Sequence, residues 1–259
     1  MNAGKPATAP KVNPVVRWFV VGLPLGLLLM GALSFVIYFK KRHAMEVAAT
    51  APSPLAAMLR KDLNLEDYRR FVRIFEKEIG PRTPGKPGNL EAAQSFIDST
   101  LGYGNLGYQV QRREFPADHQ TLVSLEVELT GSKFRNNMIL VVAPYDGADG
   151  KAISALLCLA QSLTGLQYHN SVRFVAIEAG EPKMNAGGER TCAGAMSYVE
   201  SLPKELTCAT VVLGSEIKMV IGGEQQQFRP LDAEDPGALN VLTACREAIL
   251  RMAEAPVLK

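Results

Sequence analysis

The sequence predicts an α/β domain behind one N-terminal transmembrane helix, and three stretches carry that expectation. Met138 to Ala143 is an unbroken apolar run of strand length, rich in Val and Ile, which suits a strand covered on both faces. From Ala152 the period turns helical, with Ile153, Leu156, Leu157, Ala160 and Leu163 on one face. Trp18 to Phe39 is uncharged, and about 22 residues at about 1.5 Å each cross the roughly 30 Å of bilayer hydrocarbon. Strand, loop and helix in that order are the local plan of an α/β sheet, whose ligands sit in loops beyond the carboxyl ends of the strands. Pro144 has no N–H to give and ends the ladder. A site is therefore expected between Pro144 and Lys151, where Asp146 and Asp149 supply carboxylates and Gly147 and Gly150 make the loop tight.

The chain has 259 residues and a formal net charge of +2, room for one large domain and an anchor. Its only basic run is Lys40-Lys41-Arg42, with no aromatic interleaving, so no nucleic-acid partner is expected. No internal repeat is evident.

Residues 1–14, rich in Ala, Pro, Lys and Asn, read as a disordered tail. Residues 15–39 form the membrane helix, with Trp18 and Tyr38 near its ends, where amphipathic rings prefer to sit. A cleaved signal peptide would have a shorter apolar core. The flanking charges, Lys5, Lys11 and Arg17 against Lys40, Lys41 and Arg42, lean toward a cytoplasmic C-terminal side. Gly22 and Gly26 have the spacing that lets two membrane helices approach, so a homodimer through them is one reading. Ordinary glycine in a membrane helix is the commoner one. Residues 40–60 read as a linker and 61–259 as the soluble domain. That domain should open with a helix from Asn64, its N-cap, to Ile79, stopped by Gly80-Pro81. A turn-rich loop over Arg82 to Gly88 and a helix over Leu90 to Leu101 follow. Gly107 to Phe115 and Thr121 to Leu129 read as strands; the second alternates, so one face should meet water, as at an antiparallel edge. Beyond the central unit come a strand over Ser171 to Glu178, a loop over Lys183 to Gly188, and a helix over Ala193 to Ser201. Strands over Ala209 to Leu213 and Ile217 to Ile221, a polar loop at Gln225 to Gln227, and a helix over Leu239 to Ala253 complete the chain.

Several of these stretches together resemble the zinc aminopeptidase family with co-catalytic metals. That family includes bacterial aminopeptidases, glutamate carboxypeptidases, glutaminyl cyclases and the transferrin receptor ectodomain. The matching parts, between Leu65 and Gly222, are Ile79-Gly80-Pro81-Arg82-Thr83-Pro84-Gly85, Ala92-Ala93 with Phe96-Ile97, and Leu106-Gly107-Tyr108-Gln109-Val110. Ile139 to Asp149, Arg173-Phe174-Val175, and Gly194 with Ser197-Tyr198-Val199 follow. The resemblance implies a mixed, mostly parallel sheet sandwiched by helices, acting on peptides.

The same resemblance implies that the chemistry has been replaced. Pro144 stands where the family has a metal-binding histidine, and Asp146 keeps the place of the carboxylate that would orient it. Gly150 stands at the carboxylate that bridges the metals, with Lys151 beside it. Gly180 stands at the general base and Glu181 remains at the adjoining ligand position, with Glu178 a substitute if the alignment slips. Glu216 falls near a later ligand, and no histidine follows His169 to serve as the last one. A divalent metal needs several convergent imidazole or carboxylate ligands and an open position, so no metal and no other cofactor is expected.

Other constellations are weaker. Ser154 lacks the Gly-x-Ser-x-Gly elbow of a serine hydrolase. His119 and His169 fall in surface loops. Cys158 and Cys245 lie on apolar helix faces, as buried thiols do. Cys192 and Cys208 are able to pair in an oxidising compartment. The expected protein is thus a membrane-anchored, single-pass, catalytically inactive peptidase-like domain that binds a peptide or protein or acts as a scaffold. The family, mostly exported, places that domain on the extracytoplasmic side. One rival is an active metallopeptidase or other hydrolase with a rearranged zinc site using Asp146, Asp149, Glu181 and Glu216. Another is a structural subunit of a membrane complex.

Overall fold

The computed structural model describes residues 28–40, 58–117, 120–179, 183–184, 190–191, 193–203, 206–214, 216–221, 224–230 and 232–255. The chain divides into two compact units, Met1–Ala49 and Thr50–Lys259. In the first, residues 28–40 are helical, and Leu28, Leu33, Phe35 and Ile37 are exposed. Among the described residues no helix is long and apolar enough to cross a membrane. The expected span starts at residue 15, so its first part, with Gly22 and Gly26, lies outside the described residues, as do the tail and most of the linker.

In the second unit, α1 spans Leu65–Arg73 and runs on as a π-helical turn, Ile74–Ile79. Asn64 caps it as expected, its Oδ1 accepting the Asp67 N–H at 2.7 Å. Gly80, at φ 78°, turns the chain out of the helix where only glycine is unstrained. Then come α2 (Pro87–Leu101), β1 (Gln111–Ala117), β2 (Gln120–Leu129), β3 (Phe134–Pro144), α3 (Lys151–Leu163) and β4 (Asn170–Ile177). The short strands β5 (Lys183–Met184) and β6 (Arg190–Thr191) precede α4 (Ala193–Ser201). The chain continues through β7 (Thr207–Val212), β8 (Glu216–Ile221), β9 (Glu224–Pro230) and α5 (Ala238–Glu254). Gln225 to Gln227, expected in a loop, are part of β9, paired with β8. β9 is the last strand of the sheet, and polar sequences are tolerated on edge strands.

The sheet has seven strands in the order β1-β2-β4-β3-β7-β8-β9. It is mixed, as expected, but not mostly parallel. Only β3–β4 and β3–β7 run parallel; the pairs toward both edges are antiparallel. The reason is connection length. Parallel neighbours need a crossover with a helix, and only α3 and α4 supply one; the short links between β1 and β2 and between β8 and β9 make hairpins. From β2 the chain passes to β3 across the start of β4, and Gly131 makes that crossing close. A Cβ there would lie 2.5 Å from the His169 O and Asn170 C atoms.

The two crossovers run in opposite directions from the sheet centre, so right-handedness puts their helices on opposite faces. Together with α1, α2 and α5, α3 forms the main core over Leu125, Val127, Ile139, Val141, Phe174 and Val211. On the other face α4 covers a smaller core of Phe115, Leu122, Met138, Leu140, Val142 and Val175, sealed by Tyr198. The helices do sandwich the sheet, unequally. Being central, α3 is buried on all sides, not on one apolar face. Its two serines return their bonds to the helix, with Ser154 Oγ donating to the Gly150 carbonyl at 2.6 Å and Ser162 Oγ to Leu159 at 2.9 Å.

A second correction concerns β2. It lies between β1 and β4, so its polar face is covered: Ser124 and Glu126 are buried. The alternation is that of a half-wet strand, but Glu126 is matched by Arg113 and Arg173 from the neighbouring strands, 3.5 and 3.6 Å away.

Cys158 and Cys245 are free, buried thiols in the main core. Burial pushes each up to about 12. Folding therefore favours the protonated form; that contribution is complete below the ordinary value of 9.0 and is lost as pH rises toward 12. We expect stability to fall over that alkaline range. Both thiols should also resist iodoacetamide at neutral pH until urea unfolds the chain, as site-resolved mass spectrometry can check. Fast labelling of either in the folded chain would show that this core opens.

Candidate functional site

The loops after β3 and β4 meet at the carboxyl end of the sheet, where these strands' crossovers part to opposite faces and a crevice is expected. Backbone bonds join the loops first. Tyr145 N–H donates to the Ile177 carbonyl at 2.9 Å, and the Glu178 N–H to the Val123 carbonyl at 3.0 Å. Asp146 Oδ1 then accepts the Ala179 N–H at 2.9 Å, tying one loop to the other. The first turn of α4 rests on the same place: Gly194 N–H donates to the Ala179 carbonyl at 3.0 Å. Gly194 is so close to the Glu178 and Ala179 backbone that no side chain fits.

Tyr145 follows the proline and turns fully inward. Its hydroxyl donates to Glu178 Oε1 at 2.9 Å and accepts from Gln94 Nε2 at 2.8 Å. Gln94 also reaches Glu178 Oε1 at 3.3 Å, and its own oxygen accepts from Arg112 Nη1 at 2.7 Å. The Val123 N–H donates to Glu178 Oε2 at 3.2 Å. The carboxylate is thus bonded through both oxygens to the protein. Burial first, and then the charge of Glu178, raise the Tyr145 phenol well above its ordinary value, so it stays a donor.

The Pro144–Lys151 loop is held from the other side by Arg82, whose side chain is completely buried. Its Nε donates to the Tyr145 carbonyl at 2.5 Å and its Nη2 to Asp149 at 2.7 Å. Nη1 donates to the carbonyls of Phe75 at 2.5 Å and Gly80 at 3.0 Å. Arg82 and Gly147 also exchange backbone bonds at 2.9 and 2.7 Å. Gly147 sits at φ 84°, a conformation that favours glycine. Burial lowers the guanidinium's pKa, and Asp146, Asp149 and Glu76 oppose that. One planar cation thus ties the π-helical turn to the loop through carbonyls alone.

At the end of that loop, Gly150 opens α3 against the π-helical turn. Its N–H donates to Glu76 Oε1 at 3.2 Å, and the Lys151 N–H to Asp149 Oδ1 at 2.8 Å. The lysine ammonium is 4.0 Å from Asp232. A Cβ on Gly150 would lie 2.6 Å from Phe75 Cβ, 3.2 Å from Glu76 Cγ and 3.4 Å from the Val72 carbonyl.

No protein-family model matches the chain and no curated protein matches it. Solved structures do. Part of the chain is similar to zinc-dependent exopeptidases and glutaminyl cyclases of known structure. A zinc-dependent exopeptidase from Parabacteroides distasonis is 16% identical, with 59% of this chain and 61% of that chain aligned at a TM-score of 0.45. For a leucine aminopeptidase precursor from Bacteroides thetaiotaomicron the values are 14%, 59%, 62% and 0.44. A glutaminyl cyclase from the same organism gives 13%, 59%, 62% and 0.44. The chain therefore spans about three fifths of the length of these proteins.

Of the residues singled out in the sequence, Pro144, Asp146, Asp149, Gly150 and Glu178 are brought together. Gly180, Glu181, Cys192 and His119 lie outside the described residues, as do the side chains of Glu216 and Cys208. His169 stands at the opposite end of the sheet, before β4, with its Nδ1 3.1 Å from the Glu254 carbonyl at the end of α5. Among the described residues no group of His, Cys, Asp and Glu is placed to hold a metal ion. The zinc ions implied by the sequence resemblance do not fit the described residues: position 150 has neither a ligand nor room for one, and Glu178 is engaged. Sequence reading missed Arg82, Gln94, Glu76 and Arg112 as parts of this site. For Gln94 a signal existed, since it interrupts the apolar face of α2 beside Ala93 and Ile97.

Proposed function

We propose that this protein is a membrane-anchored domain of peptidase-like fold that binds a peptide or a partner protein and does not cleave it. The observation that supports this is the use made of its acids. Glu178, the side chain nearest to a substitute base, is bonded to Tyr145, Gln94 and the Val123 N–H. A general base needs a lone pair within reach of substrate or water, and three of this carboxylate's acceptor positions are instead given to protein donors that hold the loop after β3 against α2 and β2. Beside this region is a groove of about 860 Å³ between α1 and residues 232–234, lined by Arg69, Arg73, Glu76, Lys151 and Asp232 among others. Charges of both signs suit a polar peptide chain better than a lipid or an apolar ligand. The anchor is residues 15–39. A helix whose exposed side chains are nearly all apolar, as at Leu28, Leu33 and Phe35, needs lipid or another helix around it. The soluble domain is placed outside the cytoplasm in this reading, as the sequence resemblance to a mostly exported family implies.

Two measurements on the detergent-solubilised chain test this reading. After incubation with zinc and washing, metal analysis should find no stoichiometric ion. Aminoacyl and glutaminyl substrates should be consumed no faster than in buffer. Two retained ions per chain, or turnover abolished by a chelator, would end the binding-only reading in favour of a rearranged metallopeptidase.

A further inference from the structure

We propose that Gly150 is a packing glycine. The place where the resemblance puts a metal-bridging carboxylate is closed by a helix–helix contact, so putting ligands back would not rebuild a metal site. This deepens and rests on the non-catalytic reading given under Proposed function, and takes the identity of position 150 from the sequence resemblance.

The geometry separates two opposed effects. Gly150 has φ −100° and ψ −3°, a conformation open to any L-residue. On backbone grounds alone, alanine there should stabilise the fold, because it narrows the unfolded ensemble. Packing says the opposite. The predicted Cβ contact of 2.6 Å is with Phe75 Cβ, which is not the far end of a flexible side chain. Phe75 is buried, and its ring meets Phe96 at 5.4 Å, centroid to centroid. The carbonyls of Phe75 and Gly80 are both held by Arg82. The π-helical turn therefore has little freedom to back away, and overpacking of a close-packed core is costly.

The contact also replaces what a carboxylate at 150 would supply. An acid at a helix N-terminus satisfies free N–H groups and opposes the helix dipole. Here Glu76 does so from the π-helical turn, accepting the Gly150 N–H, and Asp149 does so for Lys151. A π-helical turn carries one more residue per turn than an α-helix. Phe75 and Glu76, which approach Gly150, both lie in this widened turn.

The test uses the full chain in detergent, with thermal unfolding and zinc titration of the wild type, G150A, G150D and P144H/G150D. G150A should lower the melting temperature by about 3–10 °C, and G150D by more. P144H/G150D should take up no stoichiometric zinc. G150A melting at or above the wild type would overturn the proposal, because the space would then be open. So would one zinc held by P144H/G150D with a melting temperature that rises on loading. If the aspartate variants do not fold, G150A decides alone. Zinc bound by the wild type would sink the non-catalytic reading and leave the G150A result to judge this one.

Discussion

Arg82→Ala is expected to lower the melting temperature by about 10 °C. The guanidinium is completely buried and bonds four carbonyls, those of Phe75, Gly80, Tyr145 and Asp149. Each buried carbonyl left without a donor costs about 1–3 kcal/mol, though some will find water in the space that opens. A net loss of about 3–5 kcal/mol is a large part of a typical domain's stability, and in a unit of this size about 2–4 °C accompany each kcal/mol. The loop between Tyr145 and Gly150 should become a site of proteolysis, since its ties to the π-helical turn run through this side chain. Arg82→Lys should recover only part, because an ammonium has no planar fork with which to reach opposite sides at once. Thermal unfolding with limited proteolysis checks both variants. A fall under about 2 °C for the alanine would mean that the carbonyls rehydrate at little cost.

The second large effect lies on the other face of the sheet. Arg173→Met should destabilise the fold by about 3–5 kcal/mol, the usual result of removing one partner from a buried ion pair. Glu126 is 3% exposed; its Oε1 accepts from the Ser124 hydroxyl at 2.8 Å, and its Oε2 accepts no hydrogen bond. That second oxygen faces Arg173 at 3.6 Å and the half-exposed Arg113 at 3.5 Å, and the buried Tyr198 hydroxyl interacts with both Glu126 and Arg173. Arg173 also holds Glu128 at 2.7 Å, but Glu128 reaches solvent and loses little. Replacing both members of the pair, in Arg173→Met with Glu126→Leu, should restore most of the loss, because no charge is then left buried. Chemical denaturation of the two variants distinguishes the outcomes. A double variant as weak as the single one would show that the cost comes from shape and not from charge.

Both predictions concern residues that the sequence shows but does not explain. In β2 the alternation of Val123, Leu125, Val127 and Leu129 with polar residues is a fair signal for a strand, and the strand is there. Its burial follows from which strands lie beside it, and that is set by crossovers elsewhere in the chain. The parallel centre was readable from the apolar run of β3, and the antiparallel flanks from the short links, yet the expected balance between them was wrong. The π-helical turn had no local signature, since Ile74 to Ile79 keep an apolar spacing that an α-helix would also satisfy.

The sequence by itself determined the order of the elements other than β5, β6 and β9, the Asn64 cap, the turn at Gly80 and the strand–loop–helix unit around Pro144 and Gly150. These follow from residue type and spacing within a few turns or one strand, where side-chain period and backbone conformation act locally. Only the tertiary structure decided what Arg82, Gln94, Tyr145 and Glu178 do. Their partners come from α2, β2, the π-helical turn and the loops after β3 and β4, and a buried polar group must find its bonds wherever the fold brings a donor or acceptor within reach.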